Sequence, residues 1–269
     1  DDAEWSNFFV YFKMNFHHLG IKKLIATHYL EEGTCYKWVI DRDVDVNGDG
    51  IVNEKDLKRT ALLQNGDFRS DECVEILKEA DIVVTNPPFS LFREFIALLM
   101  QEGKKFLIIG NASSFVNKEI FPLVIDNSMW MGVSPRSMEF LLPDDSKVKV
   151  NACWFTNLEH NNRTQEVILY KKYTPEEYPN YDNYDAINVD KVKNIPADYS
   201  GVMGVPITFL GKHNPNQFEI VWQAAGNTRV SAPKEVLDEL GYTKHSKDRG
   251  GCPVLDGETK FTRLLIRRR

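Results

Sequence analysis

The chain has no apolar run long enough to cross a bilayer, since the best candidate, FREFIALLM, is stopped by Gln101, Glu102 and Gly103, well short of the ~20 residues a membrane helix needs. It has few cysteines and no paired-cysteine signature. Cys35, Cys73, Cys153 and Cys252 stand far apart, with no C-x-x-C and no histidine at zinc-ligand spacing, so thiols in a reducing cytoplasm are expected. No signal or transit pattern, useful repeat, G-x-x-x-x-G-K phosphate loop or nucleophile elbow is present. A basic excess is also lacking: 33 basic against 39 acidic side chains leave a formal charge of −6, which argues mildly against affinity built mainly on phosphate neutralisation. The first residue is Asp1 rather than Met, and DDAEWSNFF opens in mid-element, so a fragment without its natural start is expected.

What remains is an ordinary globular composition, 42% hydrophobic and 12% aromatic over 269 residues, enough for one large α/β domain or a domain with a smaller appendage. Phe8, Phe9, Phe12, Phe16 and Leu19 recur at helical spacing until Gly20, and KKLIATHY then reads as a buried strand. ECVEILKEA is an amphipathic helix, and IVVT (residues 82–85) is a β-branched run too short for one. Ser90 is placed to cap a further helix with Leu91, Phe92, Phe95, Ile96 and Leu99 on one face, closed by Gly103 before the strand FLIIG. Alternating helices and strands with short joints predict a parallel sheet covered on both faces. Beyond Asn151 the texture turns β-rich, with strands expected in NACWFTNL, EVILYKKY, GVPITFL, QFEIVW and FTRLLIRRR, a short helix at residues 233–240, and a polar, Tyr-rich acidic stretch between them. The boundary is placed between residues 170 and 171.

Asn86, Pro87, Pro88 and Phe89 follow IVVT where an α/β sheet gathers its ligands, at the carboxyl end of a strand. The prolines fix their own φ angles, and Pro87 forces Asn86 out of the helical region, so the Asn86 carboxamide and the turn carbonyls point in set directions. Together a carboxamide oxygen and a rigid carbonyl can accept both hydrogens of a planar amine, which opposes conjugation of that nitrogen and exposes its lone pair. Phe89 offers a flat face to an aromatic substrate. The competing reading is a Pro-Pro turn with Phe89 in the core.

This motif resembles the catalytic turn of amino-directed methyltransferases that use S-adenosylmethionine. With DDAEWSNFF, KKLIATHY, NGDFRS, KKFLIIGN, NACWFTNL, GVPITFLGKHNPNQFEI and TRLLIRRR, nearly the whole chain is similar to the EcoRI-type adenine-specific DNA methyltransferase family. The resemblance implies a Rossmann-like methyltransferase sheet in residues 1–170, without its first strand and N-terminal cofactor motif, and a β-rich target-recognition region in residues 171–269. It implies that Asp1 and Asp2 lie beside the cofactor, and that Asp67 and Phe68 hold its adenine, although a Gly-Asp turn accounts for the same residues. It further implies that Asn86, Pro87, Pro88 and Phe89 hold the 6-amino group and face of an adenine flipped out of double-stranded DNA. A cognate restriction endonuclease is the implied partner and the cytoplasm the implied compartment. A protein-glutamine or small-amine methyltransferase and a non-catalytic calcium-braced binding module are the alternatives.

The segment DVNGDGIVNEKD fits the twelve-residue calcium loop, with Asp45, Asn47 and Asp49 at positions one, three and five, Gly50 at six, the Ile51 carbonyl at seven and Asp56 at twelve. Asp at position twelve shortens the reach of the usual Glu, as in dockerin loops, and a solvated Asp/Asn/Gly connection is the other reading. Much of the acidity is local, with six acids between Asp41 and Asp56 and six between Glu176 and Asp198. Lys260, Arg263, Arg267, Arg268 and Arg269 close the chain without an acid, and Arg229, Lys244, Lys247 and Arg249 lie among Gly, Asn and Ser, so a local basic face is compatible with a negative total.

Overall fold

Ser6 starts the first helix, α1 (Asn7–Met14), its hydroxyl accepting from the Phe8 and Phe9 amides at 3.2 and 3.4 Å. The computed structural model describes residues 6–31, 33–133, 137–142 and 144–269, and the chain divides into two units, Asp1–Gly110 and Asn111–Arg269.

In the first unit α1 ends five residues before Leu19. Asn15 takes the C-cap and folds its carboxamide back onto the Tyr11 carbonyl (2.8 Å), after which turns lead to left-handed Gly20 (φ 66°). Strands β1 (Lys23–His28), β2 (Tyr36–Asp41) and β3 (Lys58–Ala61) form an antiparallel sheet in that order, with Lys23 opposite Asp41 and His28 opposite Tyr36. This corrects the expectation that KKLIATHY joins the parallel sheet. Tyr36, Trp38 and Ile40 alternate along β2, and the short return after His28 lets the next segment pair as a hairpin, for which a parallel strand has no counterpart.

The parallel pairing starts further on. Helix α2 (Asp71–Glu79), capped by Ser70, leads to β4 (Ile82–Thr85); α3 (Phe92–Gln101) follows, and β5 (Lys105–Asn111) lies parallel to β4 with Ile82 opposite Lys105 and Thr85 opposite Ile108. Gly103 (φ 62°) ends α3 in the left-handed conformation. Phe92, Phe95, Ile96 and Leu99 of α3 and Phe106, Ile108 and Ile109 of β5 are buried, each contributing roughly 1.5–3 kcal/mol of transfer free energy. This βαβ unit fixes the turn between β4 and α3.

The second unit opens on Asn111, whose side chain caps a single-turn helix by accepting from Ser113 N at 2.9 Å. It continues through α4 (Phe121–Ile125), β6 (Trp130–Met131), the hairpin β7 (Met138–Leu141) and β8 (Lys147–Val150), and β9 (Ala152–Thr156), which pairs antiparallel with β6. Phe115 and Phe155 stack at 4.0 Å. Then follow β10 (Ile187–Asn188), β11 (Met203–Pro206), β12 (Phe218–Ala224), α5 (Thr228–Ser231), α6 (Lys234–Glu239), the hairpin β13 (Val254–Leu255) and β14 (Glu258–Thr259), and β15 (Arg263–Arg268). Their main sheet has the order β10-β11-β15-β12, with Leu264, Leu265 and Ile266 of the inner strand β15 fully buried.

One expectation in this unit is corrected. EVILYKKY is not a strand: the Gln217 side chain takes the place of a partner strand, accepting from the Val167 amide and donating to its carbonyl at 2.8 Å each, and Ile168 stays in solvent. The polar, Tyr-rich stretch is packed, with Tyr178, Tyr181, Asn183 and Tyr184 buried; the Asn183 carboxamide donates to the Cys252 carbonyl and accepts from the Val254 amide. The coarse reading of a mixed α/β protein with several sheets holds. The four cysteines are free thiols.

Candidate active site

The Asn86–Phe89 turn sits between β4 and α3, immediately after buried Thr85. Pro88 adopts φ −53° and ψ 128°, and its carbonyl accepts from the Leu91 amide at 3.0 Å, closing a 3₁₀ turn over Phe89–Leu91. Ser90 is drawn into that turn and does not cap α3, which begins after Leu91 with no side-chain cap; the expected capping role is thereby corrected. Pro87 is buried, and its carbonyl accepts no hydrogen bond among the described residues. Phe89 is 38% exposed, well outside the core.

The Asn86 Oδ1 is shielded from solvent and has no hydrogen-bond partner among the described residues. A buried acceptor left without a donor costs about 1–3 kcal/mol, so this oxygen is free to accept from a donor outside the fold.

The Asp67–Phe68 loop is placed by Gly66. With φ 74° and an ideal Cβ position only 2.4 Å from the His28 carbonyl oxygen, this position accepts glycine alone, and the loop passes directly over the end of β1. Asp67 is gripped by Arg69: Oδ1 accepts from Nε at 2.9 Å and from the Arg69 amide at 2.8 Å, and Oδ2 accepts from Nη2 at 2.6 Å. Arg69 beside it holds the Asp67 carboxyl below the usual carboxylate range, and Asp67 in turn raises the guanidinium. Each oxygen retains lone-pair capacity for a further donor.

The loop and the Asn86 turn are joined through α3. Arg69 Nη1 reaches Glu94 Oε2 at 3.2 Å, and Phe68 packs edge-on against Phe95 at 5.0 Å. Thus Asp67, Phe68, Asn86 and Phe89 are anchored to one βαβ unit. Asp1 and Asp2 lie outside the described residues. Sequence reasoning missed Arg69 and Glu94; the signal for Arg69 was the charge two positions after Asp67.

The predicted calcium-loop residues do not converge on a cage. Asp45 accepts from the Gly48 and Gly50 amides at 2.6 and 2.7 Å, Asn47 from Asp49, Asp49 from Ile51, and Asp56 from Val46, Asn47 and Asn53. These backbone bonds, that from Asn53 foremost, hold the Asp56 carboxyl below its usual range. Among the described residues no three His, Cys, Asp or Glu side chains are grouped to hold a metal ion.

The end of a parallel strand thus carries a carboxamide oxygen without a partner among the described residues, followed by two prolines and an exposed ring. The family described as adenine-specific methyltransferase EcoRI matches residues 1–269. The chain belongs to that family. It is 45% identical to the type II methyltransferase M.EcoRI of Escherichia coli, across 82% of this chain and 76% of that protein. It is 36% identical to the type II methyltransferase M.MgeORF184P of Mycoplasma genitalium and 35% identical to M.MpnI of Mycoplasma pneumoniae, each across 100% of this chain and 86% of the relative. No solved structure matches it significantly.

Proposed function

We propose that the chain is a site-specific DNA methyltransferase that transfers a methyl group to the 6-amino group of an adenine flipped out of double-stranded DNA. The observation that carries this reading is the buried Asn86 Oδ1 next to the Pro87 carbonyl, both without a hydrogen-bond partner among the described residues. These two acceptors take both amine hydrogens, turning the nitrogen lone pair out of conjugation with the ring, while Phe89 and the rigid Pro87-Pro88 backbone fix the plane of the base. S-adenosylmethionine, the methyl donor implied by the family, supplies an electrophilic methyl group on a sulfonium. The nitrogen becomes cationic as it gains the methyl, and its extra proton leaves to water, so no strong base is required.

Asp67 and Phe68 fit the adenine end of that cofactor, a carboxylate for its exocyclic amine and a ring for its face; Asp1 and Asp2 are assigned to it by resemblance alone. The parallel β4–α3–β5 unit supports a Rossmann-like catalytic region in residues 1–170, with target recognition assigned to residues 171–269. A cytoplasmic location and a restriction endonuclease partner belong to this reading through the family resemblance. A structural calcium ion on Asp45, Asn47, Asp49, the Ile51 carbonyl and Asp56 is a subordinate part of it, supported by the twelve-residue spacing and by left-handed Gly50 (φ 85°).

The test is transfer of label from methyl-labelled S-adenosylmethionine to unmethylated genomic DNA by the wild type and Asn86→Ala. Label on N6 of adenine, with loss of at least a hundredfold in the variant at unchanged melting temperature, is the expected outcome, on the order of 3 kcal/mol of transition-state stabilisation. Label on protein glutamine instead, or equal transfer by the variant, would overturn it.

A further inference from the structure

The loop of residues 242–251 is built inside out with respect to charge. Its acid, Asp248, is buried: the carboxylate accepts from the Tyr242 hydroxyl and from the His245 and Gly250 amides, and the backbone carbonyl accepts from the Gly251 and Cys252 amides. Its cations face solvent. Lys247 and Arg249 are exposed, and among the described residues neither has an acidic partner.

The backbone that carries them is locked. Arg249 is left-handed (φ 43°), a conformation that a non-glycine residue keeps only when its surroundings enforce it. Enforcement comes from Gly250, whose Cβ would lie 2.1 Å from the Gly226 carbonyl oxygen, and from Gly251, whose Cβ would lie 2.8 Å from Thr228. The Arg229 amide donates to the Gly250 carbonyl at 3.0 Å. On the other side the Thr259 hydroxyl donates to the Lys247 carbonyl, and the Lys260 amide to Pro253 at 2.8 Å.

Two apolar side chains project from this rigid basic frame. Phe261, next to Lys260, is 88% exposed, the most exposed aromatic ring among the described residues, and Val230, next to Arg229, is 86% exposed. Lys260 and Arg229 are paired with Glu258 and Asp248 at 3.7 and 3.8 Å, which leaves Lys247 and Arg249 as the cations without an acidic partner among the described residues. A ring in water on the segment whose Thr259 holds the Lys247 carbonyl, together with those two cations, complements a polyanion with apolar faces between its charges, which is the chemistry of a base stack flanked by phosphates.

We propose that this surface docks on duplex DNA, with Phe261 inserted as an apolar wedge between base pairs and Lys247 and Arg249 on the neighbouring phosphates. The inference rests on the DNA reading above and adds to it the element that distorts the duplex.

The full chain tests it by binding to a labelled duplex, intact or carrying an abasic site that already unstacks one step, with methyl transfer to genomic DNA measured in parallel. Phe261→Ala should bind the intact duplex about tenfold more weakly while losing little on the abasic duplex, and Phe261→Trp should restore intact-duplex binding. Lys247→Ala with Arg249→Ala should weaken both duplexes alike and lower the slope of log affinity against log salt by about two. Equal binding of the intact duplex by Phe261→Ala and wild type, or an unchanged salt slope in the double variant, would overturn the proposal even where the wild type methylates DNA. Wild type that binds duplex in this Phe261-dependent way without methylating it would instead sink the catalytic reading. Wild type that does neither would sink both and point to an acidic protein as the occupant.

Discussion

Arg69 closes a bidentate fork on Asp67, with Nε at 2.9 Å from one carboxylate oxygen and Nη2 at 2.6 Å from the other. The same guanidinium extends to Glu94 on α3, so the loop assigned to the cofactor is positioned by the helix that follows the Asn86 turn. Arg69→Gln removes the fork and leaves Asp67 in place. Because the pair is partly exposed, the melting temperature should hardly move at pH 7. The KM for S-adenosylmethionine should rise several-fold, with a smaller change in kcat. The depressed Asp67 carboxyl stabilises the fold above its unfolded pKa of ~3.9, and that contribution is lost as pH falls through the lower folded value. The small stability deficit of the variant should therefore be constant between about pH 5 and 8 and disappear as pH falls below about 4, where the wild type loses the same contribution; steady-state kinetics and acid titration of the fold check both parts.

Gly66→Ala places a methyl group on the His28 carbonyl and strains a φ of 74° at once. A loss of about 1–3 kcal/mol in urea unfolding is expected, unlike Gly20→Ala, where nothing lies within 4 Å of the new Cβ and only the φ penalty applies. Equal losses in the two variants would show that the close approach to β1 does not hold the loop.

The geometry of the Asn86 turn was legible because prolines write geometry into sequence: Pro87 and Pro88 fix the backbone and leave Asn86 no helical option. The helix and strand on either side were legible from period alone. Long-range pairing was not. Nothing local in KKLIATHY says that its partner is an antiparallel strand eight residues on, and nothing in EVILYKKY says that Gln217, fifty positions away, will occupy its backbone groups. The burial of Tyr181 and Asn183 was equally illegible, since nothing local in a polar stretch says that its hydroxyl and amide groups find buried partners, as they do in Asn188 and Cys252.

Calcium titrated into protein stripped of divalent ions should release heat and raise the melting temperature, and Asp49→Ala, which removes an exposed side chain with one local amide bond, should abolish both effects without unfolding the apo protein. No heat and an unchanged melting temperature would reduce the 45–56 loop to a self-capped connection, its left-handed glycines serving only the turns that bring Asp56 under the Val46 and Asn47 amides.

His213 provides the clearest pH signature of the second unit. Its ring is buried, Nε2 donates to the Phe218 carbonyl at 3.1 Å, and its pKa is pushed down to about 4, by burial first and by the nearby Arg163 and Arg269 charges, against the pull of the carbonyl. In the unfolded chain the same imidazole titrates near 6.5. Between those values the unfolded state binds a proton that the folded state refuses, so stability falls as the solution is acidified from neutrality toward pH 4 and is recovered as pH rises through 6.5. A shift of this size corresponds to a loss of about 2 kcal/mol between pH 7.5 and 5. His213→Gln keeps a donor for the Phe218 carbonyl and removes the titration. Its stability, measured by urea unfolding at both pH values, should be nearly flat where the wild type declines, and parallel declines in the two proteins would show that His213 does not carry this sensitivity.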